Sequence, residues 1–181
     1  MAETKSAVSL EEFRRMAAET DDRLELVGGE VLRMSPPGSR HGRTAIRVSM
    51  VLAQLVPKDF AEVWGDIGLL FPNGDVRAPD ACVVSTEHIR SMGGVPEGWW
   101  TGPLLLAVEV IGTEERASQL QRKTEQYFAN DVRQVWWVNP DTRKVTVYRG
   151  PKQVEIFGDE DELTAMDVHP ALRFPVSKLF E

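Results

Sequence analysis

The sequence predicts a mixed α/β (α+β) fold in which helices flank a mixed β-sheet, and three observations predict it. A short apolar run at 104–111, an amphipathic helical pattern at 114–129 and a strand pattern at 134–149 follow one another, as in a β-α-β unit. A Gly28-Gly29 step separates two alternating runs, which is typical of a two-residue hairpin turn. A second long helical pattern covers about 39–56.

Length and composition bound the class of protein. At 181 residues, one domain over 1–181 is expected, and 42% apolar with 27% charged residues is ordinary for a globular chain. The single cysteine, Cys82, excludes an internal disulfide, suits a reducing cytoplasm and is interpreted as a small core residue. No apolar run reaches the roughly 18 residues of a membrane span, and the polar start up to Ser9 lacks a signal-peptide core. We therefore expect a cytoplasmic protein with no membrane contact.

The net charge of −7 constrains possible partners. Proteins that coat nucleic acid regardless of sequence are usually basic, so this balance argues against that class. It leaves room for a local basic face on an acidic body.

The N-terminal third begins with a helix and a hairpin. Residues 9–19 form a helix with Ser9 as N-cap and Glu12 at the capping-box position. Its apolar stripe consists of Leu10, Phe13, Met16 and Ala17. The hairpin at 23–34 places Glu25 and Glu30 on one face, so either could point toward the core. Glu30 could supplement a metal site, and the alternative is a charge at the rim.

The helix at 39–56 has an apolar pattern and a basic first half. Ser39 is its expected cap, and its predicted apolar positions are Ile46, Met50, Leu52, Ala53 and Val56. Its basic side chains recur at helical spacing and are Arg40, Arg43 and Arg47. They are candidate phosphate contacts, or else a solvated face that balances the acidic body. His41 is a candidate phosphate contact or site neighbour, and otherwise a surface histidine.

The middle of the chain supplies the first candidate carboxylate. Residues 61–71 are predicted as a strand, 72–75 as a turn and 76–85 as a further strand. Pro79 donates no ladder hydrogen bond, so it belongs at a strand start, an edge or a bend. That position opens space beside Asp80, which a catalytic carboxylate needs.

A long connection at 86–103 carries two adjacent tryptophans, Trp99 and Trp100. Such rings can stack on bases, but more often they fasten a loop to the core or form a subunit contact. We favour these two structural roles over base stacking.

The second candidate carboxylate, Glu109, lies in a strand that is expected to be buried on both faces. A charged group there costs several kcal/mol, roughly, unless it meets a cation. Its partner is an Arg, a Lys, a helix N-terminus or a bound metal. Lys123 lies on the next helix, one turn before Tyr127, and can extend toward Glu109, although the alternative is a surface lysine that snorkels.

The rest of that helix and the tail complete the core. The helix is expected to bury Ala117, Leu120, Thr124, Tyr127 and Phe128, and to carry Arg116 and Arg122 as nearby positive charges. The strand after it is expected to lie parallel to the Glu109 strand. A short strand near 154–157 and an irregular tail follow, in which Leu172, Phe174, Val176 and Leu179 pack down.

Asp80, Glu109 and Lys123 together predict a metal-dependent hydrolytic site. Carboxylates bind Mg²⁺, which prefers oxygen ligands and retains several waters. A bound metal lowers the pKa of water and neutralises charge on a phosphoryl oxygen, and a lysine orients or deprotonates the attacking water.

The order of three groups of residues is similar to that in the PD-(D/E)XK nuclease superfamily. These groups are Pro79-Asp80, then Glu109-Val110-Ile111, then Lys123 with Tyr127. More closely, the chain resembles the Uma-type restriction endonuclease family. The further matching segments are LELVGGEVLRM at 24–34, Ser35-Pro36-Pro37 with His41-Gly42, APDACVV at 78–84, LAVEVI at 106–111 and VWWVNPDTRKVTVY at 135–148.

The resemblance implies a restriction-endonuclease-like core and Mg²⁺-dependent hydrolysis of DNA, with Mn²⁺ as a substitute. It implies Asp80 and Glu109 as metal ligands, with a backbone carbonyl beside Glu109, assigned to Ile111, as a further ligand. The usual motif places its lysine at the position of Ile111, so the resemblance implies that Lys123 replaces it. Glu30 matches the glutamate after the hairpin glycine, and Tyr127 matches the residue one turn beyond the lysine.

The chain departs from the family pattern at Gly112-Thr113, Asp131-Val132 and Asn139, none of which is a proposed ligand.

Three hypotheses remain open. The first is a Mg²⁺-dependent endonuclease that acts on DNA, for which a homodimer would address both strands although no residue pattern establishes one. The second is a binding or regulatory module that has the fold without the chemistry, which the net charge favours. The third is a structural, metal-free ion pair between Glu109 and Lys123, which leaves the Pro79-Asp80 arrangement unexplained.

Overall fold

The computed structural model describes residues 7–112 and 116–181. Its helices are α1 (Leu10–Ala18), α2 (Ser39–Leu55), α3 (Thr86–Ser91) and α4 (Ala117–Ala129), with a C-terminal 3-10 helix at Val176–Leu179. Its strands are β1 (Leu24–Val27), β2 (Glu30–Arg33), β3 (Ala61–Trp64), β4 (Leu69–Leu70), β5 (Val76–Arg77), β6 (Ala81–Ser85), β7 (Leu106–Val110), β8 (Val135–Asn139), β9 (Lys144–Gly150), β10 (Gln153–Phe157), β11 (Glu162–Thr164) and β12 (Arg173–Pro175). None of the helices in these two segments combines the length and apolar character that crossing a bilayer requires.

The strands form two main sheets. The six-stranded sheet has the order β10-β9-β8-β7-β6-β3, and it is mixed because β7 and β8 run parallel while the other neighbours are antiparallel. The four-stranded sheet has the order β2-β1-β5-β4 and is antiparallel, and β11 pairs with β12 in a small ladder. The predicted mixed sheet flanked by helices, including the parallel β-α-β unit, is confirmed.

Strands β7 and β8 lie at the centre because they are apolar on both faces. Side chains that point to one face, such as Val108 and Trp136, pack with Leu52 of α2. Side chains that point to the other face, such as Trp137, pack with Tyr127 of α4. Each helix therefore covers one face of the six-stranded sheet, as expected for a mixed α/β layer structure.

The N-terminal elements form as predicted. The Glu12 amide donates to Ser9 Oγ at 3.2 Å and the Ser9 amide donates to Glu12 Oε2 at 2.9 Å, which is the predicted capping box. The hairpin register pairs Val27 with Glu30, and the turn glycines adopt φ of 58° and 81°. Positive φ at both central positions is the geometry that favours glycine in such a turn.

Two predicted strands are each divided between the sheets. The segment 61–71 forms β3 in the larger sheet and β4 in the smaller one, separated by Asp66 at φ 52°. The segment 76–85 forms β5 and β6, again in different sheets. Pro79 and Asp80 make this second crossover, since proline cannot continue a ladder. The prediction of one strand over 61–71 was therefore wrong, whereas the break expected at Pro79 within 76–85 is confirmed. This second crossover is what places Asp80 between the sheets.

The predicted apolar positions of α2 are wrong in part: Leu52 and Val56 are buried as predicted, whereas Ile46, Met50 and Ala53 are exposed. Ile46 is 65% exposed and Met50 is 50% exposed. The buried side chains of this helix are Thr44, Val48, Val51 and Leu52. Two overlapping stripes fit a 3.6-residue period here, and only packing against the sheet selects one of them. Gly38, and not Ser39, is the N-cap, and it makes no side-chain cap bond.

The connection after β6 contains α3, which the sequence did not predict, with Ser85 as its N-cap. The two tryptophans that follow fasten the loop to the core. Trp99 lies 5.4 Å from the ring of Phe13, and Trp100 is buried with its ring edge-on to Trp64 at 5.1 Å. The interpretation that these rings hold the loop against the core is confirmed.

The C-terminal half matches its prediction in outline. The described part of the Lys123 helix begins at Ala117. The predicted start at 114 lies outside the described residues. Thr113, one of the departures from the family pattern, also lies outside them. Ala117 is exposed, against the prediction that it would be buried. The tail residues Leu172, Phe174, Val176 and Leu179 are buried, as predicted, and so is Cys82.

Candidate active site

A large cavity lies between the two sheets and the start of α2. Its volume is about 580 Å³. The lining residues that carry the candidate chemistry are Arg23, Arg40, His41, Asp80, Glu109, Ile111 and Lys123. The three side chains that the sequence predicts to converge, Asp80, Glu109 and Lys123, therefore line the same cavity.

Strand pairing brings the two carboxylates together. Ala81 of β6 pairs with Val108 of β7 in an antiparallel register, and one further step places Asp80 across from Glu109. Directly opposed residues lie on the same face of a sheet, with Cβ atoms about 5 Å apart. The backbone amide of Val110 donates to Asp80 Oδ2 at 2.7 Å, which holds this carboxylate beside β7.

Asp80 is buried but remains ionised. Arg23 Nη1 lies 2.8 Å from Oδ1, and His41 Nε2 lies 3.3 Å from Oδ2. Burial alone would raise the pKa of Asp80, but the hydrogen bond from His41 and the charge of Arg23 lower it to about 2. The same hydrogen bond to Asp80 raises the pKa of His41 above its ordinary value.

The pKa of the Glu109 carboxyl is displaced in the opposite direction to that of Asp80. Lys123 Nζ lies 2.7 Å from Glu109 Oε1, and the Tyr127 hydroxyl donates to the same oxygen. Burial raises the pKa of the Glu109 carboxyl to about 7, because the charge of Lys123 offsets only part of the desolvation and the charge of Asp80 opposes ionisation. Glu109 therefore has too little positive charge around it for full ionisation in the metal-free protein.

Lys123 is itself buried, with 8% of its side chain exposed, and it bridges two acids. Its ammonium lies 3.2 Å from Glu25 Oε1 in addition to its contact with Glu109. Burial alone would lower the pKa of Lys123, but the two carboxylates raise it above its ordinary value. The side chain is therefore a fixed ammonium and not the surface lysine of the alternative interpretation.

Glu25 anchors this lysine from the smaller sheet. Arg77 Nη1 lies 2.6 Å from Glu25 Oε2, and the Ala78 amide donates to Oε1 at 3.0 Å. Burial opposes ionisation of Glu25, yet Lys123 and Arg77 together lower its pKa. Gln126 of α4 accepts from Arg77 Nε at 3.0 Å and so ties the helix to the same network.

Some of the other predicted site residues line this cavity and others lie outside it. Glu30 is exposed and is not among the lining residues, so the buried glutamate of the hairpin is Glu25. His41 is half-buried inside the cavity, and Ile111 lines it. Tyr127 is fully buried beside Glu109. Arg40 pairs with Asp141 at the rim, Arg43 lies outside this cavity, and Arg47 donates to the Glu181 carbonyl oxygen at 2.8 Å.

Sequence reasoning missed Arg23 and Arg77 and chose the wrong glutamate of the hairpin. The available signal was that Glu25 stands between Leu24 and Leu26, both of which are buried. A strand with three consecutive buried residues is covered on both faces. In addition, β1 is an inner strand of its sheet, since it pairs with β2 at one edge and with β5 at the other. Arg77 is the residue that the β1–β5 register sets across from Glu25.

The donor set of this cavity fits a hard divalent cation. A carboxylate offers about four lone-pair positions, and Asp80 accepts three hydrogen bonds while Glu109 accepts two. Within residues 7–112 and 116–181, no group of three or more His, Cys, Asp and Glu side chains could hold a metal by itself. This arrangement suits Mg²⁺, which binds through one or two carboxylates and retains waters, and does not suit a closed zinc site.

Comparison with solved structures identifies the fold. A crystal structure described as "a putative nuclease belonging to DUF820", from Anabaena variabilis ATCC 29413, superposes with a TM-score of 0.83. The two chains share 18% identity, and the match covers 96% of this chain and 97% of the other, so it establishes a shared fold. A DrdV–DNA complex matches 74% of this chain and 11% of its own, at 10% identity and a TM-score of 0.43, which is too low to carry an argument.

Comparison of sequences defines the family. The family model of Uma2, described as "Putative restriction endonuclease", matches residues 10–177. The chain belongs to the Uma2 family, as its resemblance predicted. Families of this restriction-endonuclease-like kind generally use divalent metal ions. No curated protein matches the sequence.

Proposed function

We propose that this protein is a Mg²⁺-dependent endonuclease that hydrolyses phosphodiester bonds of DNA. The observation that supports this most is the meeting of Asp80, Glu109 and the Lys123 ammonium in one cavity, with Lys123 Nζ 2.7 Å from Glu109. Membership of a family described as restriction endonucleases points to the same class of reaction.

Asp80, Glu109 and a backbone carbonyl beside Glu109, at Val110 or Ile111, would hold the metal. When bound, Mg²⁺ supplies a water of lowered pKa and neutralises charge on the phosphoryl group. The raised pKa of Glu109 supports this assignment, because a divalent cation would provide the positive charge that the buried carboxyl lacks.

Lys123 would act as a charged hydrogen-bond donor. Because its pKa is raised, it stays protonated, so it orients the attacking water and opposes negative charge on the phosphoryl oxygens and does not remove a proton. In the reaction the water oxygen forms a bond to phosphorus, and the bond from phosphorus to the leaving sugar oxygen breaks. One proton of the water ends on that sugar oxygen, and the other stays on the phosphate product or passes to solvent. Glu25 would position Lys123, since it holds the ammonium from the side opposite Glu109.

The experiment is a cleavage assay on plasmid and oligonucleotide DNA with purified protein. We expect nicks or breaks with Mg²⁺ or Mn²⁺ and none with EDTA. Asp80→Asn and Glu109→Gln should each lower the rate by at least about 10²-fold. Glu30→Gln is the matched control, because Glu30 is an exposed acid outside the cavity. Absence of cleavage by the wild type under all these conditions would contradict the proposal.

A second candidate is a binding or regulatory module with the same fold. It is favoured by the fact that each buried carboxylate already has a cationic partner, Arg23 for Asp80 and Lys123 for Glu109. Calorimetric titration with Mn²⁺ separates the two candidates. A module without chemistry predicts the same trace for the wild type and the Asp80→Asn/Glu109→Gln double variant, whereas the nuclease predicts that only the wild type binds.

A further inference from the structure

A second cavity adjoins the candidate active site. Its volume is about 230 Å³, and it lies on the other side of Arg40 and Pro140, which line both cavities. The charged residues that line it are three arginines, Arg40, Arg43 and Arg143, and one acid, Glu181. Three arginines against one acid make an excess of positive charge in this lining, although the protein as a whole has a net charge of −7.

The three arginines converge from two elements. Arg40 and Arg43 are three residues apart on α2, so they lie on the same side of that helix. Arg143 ends the β8–β9 turn, where it adopts φ 51°. The side chain of Asn139 accepts from the amides of Asp141 and Thr142, at 2.9 and 3.0 Å, and fixes the turn. The cavity is therefore built by a helix face and a restrained turn.

The guanidinium groups keep capacity for a further anion. Arg43 makes no ion pair with any residue in the described parts of the chain. Arg40 pairs with Asp141, and Arg143 pairs with Asp159 at 2.7 Å. Both acids are at least 40% exposed, and such surface ion pairs are weak enough to be exchanged for a phosphate.

Arg143 is also held in place by its surroundings. Its guanidinium lies over the Phe180 ring, 5.2 Å from the centroid. Arg47, which the sequence grouped with Arg40 and Arg43, does not line this cavity and donates instead to Glu181. In the structure, the third arginine beside Arg40 and Arg43 is therefore Arg143 and not the predicted Arg47.

We propose that the cavity formed by Arg40, Arg43 and Arg143 binds a phosphate of the substrate strand other than the one that is cut. This inference rests on the proposed nuclease function. The guanidinium fork matches two phosphate oxygens at once, so a cluster of three fixes the strand relative to Asp80 and Glu109. The cavity sets where the DNA backbone leaves the active site, and these arginines position the substrate.

The test measures DNA binding and cleavage separately. Binding of a short fluorescent DNA duplex is followed by anisotropy over a salt series, on the Asp80→Asn background so that the probe stays intact. Arg43→Ala and Arg143→Gln are compared with Arg90→Ala, which removes an exposed helical arginine that lines none of the cavities. Cleavage by the same variants with Asp80 intact then gives KM and kcat.

We expect Arg43→Ala and Arg143→Gln to weaken binding about fivefold to tenfold near 0.1 M salt and to reduce the salt slope by about 1 each. KM should rise more than kcat falls, and Arg90→Ala should change neither. If the wild type cuts DNA but both variants keep its affinity and salt slope, the phosphate cavity is refuted while the nuclease function stands. If the wild type neither binds nor cuts DNA, both proposals fail.

A third arm distinguishes the phosphate of a strand from free phosphate. Inorganic phosphate is titrated against the protein–DNA complex and against the free protein. Competition that disappears in Arg43→Ala supports a shared anion site on the DNA path. Calorimetric binding of inorganic phosphate that depends on Arg43, together with DNA affinity that does not, would assign the cavity to free phosphate and overturn the proposal.

Discussion

Lys123 and Glu25 form a buried ion pair of 3.2 Å between α4 and β1, two elements that no sequence pattern connects. The lysine reaches across to Glu109 on its other side, at 2.7 Å. A buried ammonium between two carboxylates links the two sheets at the candidate active site. Replacing Lys123 should therefore affect both stability and catalysis. Replacing Glu25 or Glu109 should affect these two properties to different extents.

Replacing Lys123 with Met should destabilise the metal-free protein by about 3–5 kcal/mol, because Glu25 and Glu109 then lose their shared cation. Urea unfolding at pH 8 with EDTA measures this change. Lys152→Met, at an exposed lysine, is the matched control and should stay within about 0.5 kcal/mol of the wild type. A Lys123→Met protein as stable as the control would show that the ion pairs contribute nothing.

Glu25→Gln should reduce cleavage more than it reduces metal binding. The amide keeps the shape of the side chain but no longer holds the Lys123 ammonium by charge, so we expect kcat to fall about 10-fold to 100-fold. The Mn²⁺ affinity measured by calorimetry should change by less than about threefold, since Glu25 is not a proposed ligand. A parallel loss of metal affinity would instead make Glu25 part of the metal site.

The metal-free protein should lose stability as the pH rises from about 4.5 to about 7, through the titration of Glu109. Its pKa is about 7 in the folded state against 4.5 ordinarily, so the folded chain binds more protons than the unfolded chain in this interval. The contribution is present below pH 4.5 and lost above pH 7. Glu109→Gln removes this pH dependence and should be more stable than the wild type at pH 8, by on the order of 3 kcal/mol.

Urea unfolding with EDTA at pH 5 and pH 8 checks this prediction. The difference between the wild type and Glu109→Gln should grow between the two pH values, while Glu30→Gln, the exposed control, should follow the wild type. An unchanged difference would mean that Glu109 keeps an ordinary pKa in the fold.

Binding of a divalent metal should restore the stability that the metal-free protein loses at pH 8 through Glu109. At Mn²⁺ or Mg²⁺ concentrations about 100 times Kd, the free energy of unfolding at pH 8 should rise by about 2.7 kcal/mol in the wild type. Asp80→Asn should show no such rise, because one of the two proposed carboxylate ligands is lost. Thermal unfolding with and without EDTA measures it, and equal stabilisation of both proteins would place the ion elsewhere.

Local pattern was sufficient for elements whose signals lie within a few residues. The capping box of Ser9, the glycine turn and the buried β-α-β unit each depend on neighbouring residues, and each formed as predicted. Where two patterns competed, as on α2, the sequence favoured Ile46 and Met50 although both are exposed. The choice between two helix faces is made by the sheet on which the helix packs, which local spacing does not contain.

Sequence patterns were enough to identify the candidate groups for the chemistry: a strand carboxylate at Glu109, a carboxylate after proline at Asp80 and a lysine, Lys123, on the following helix. The charge states of these groups depend on contacts that form only in the folded chain. Asp80 meets Arg23 and His41, whereas Glu109 shares Lys123 with Glu25, so the two acids have pKa values displaced in opposite directions. The physical reason is that desolvation and ion pairing depend on which distant side chains the crossover between the two sheets brings into contact.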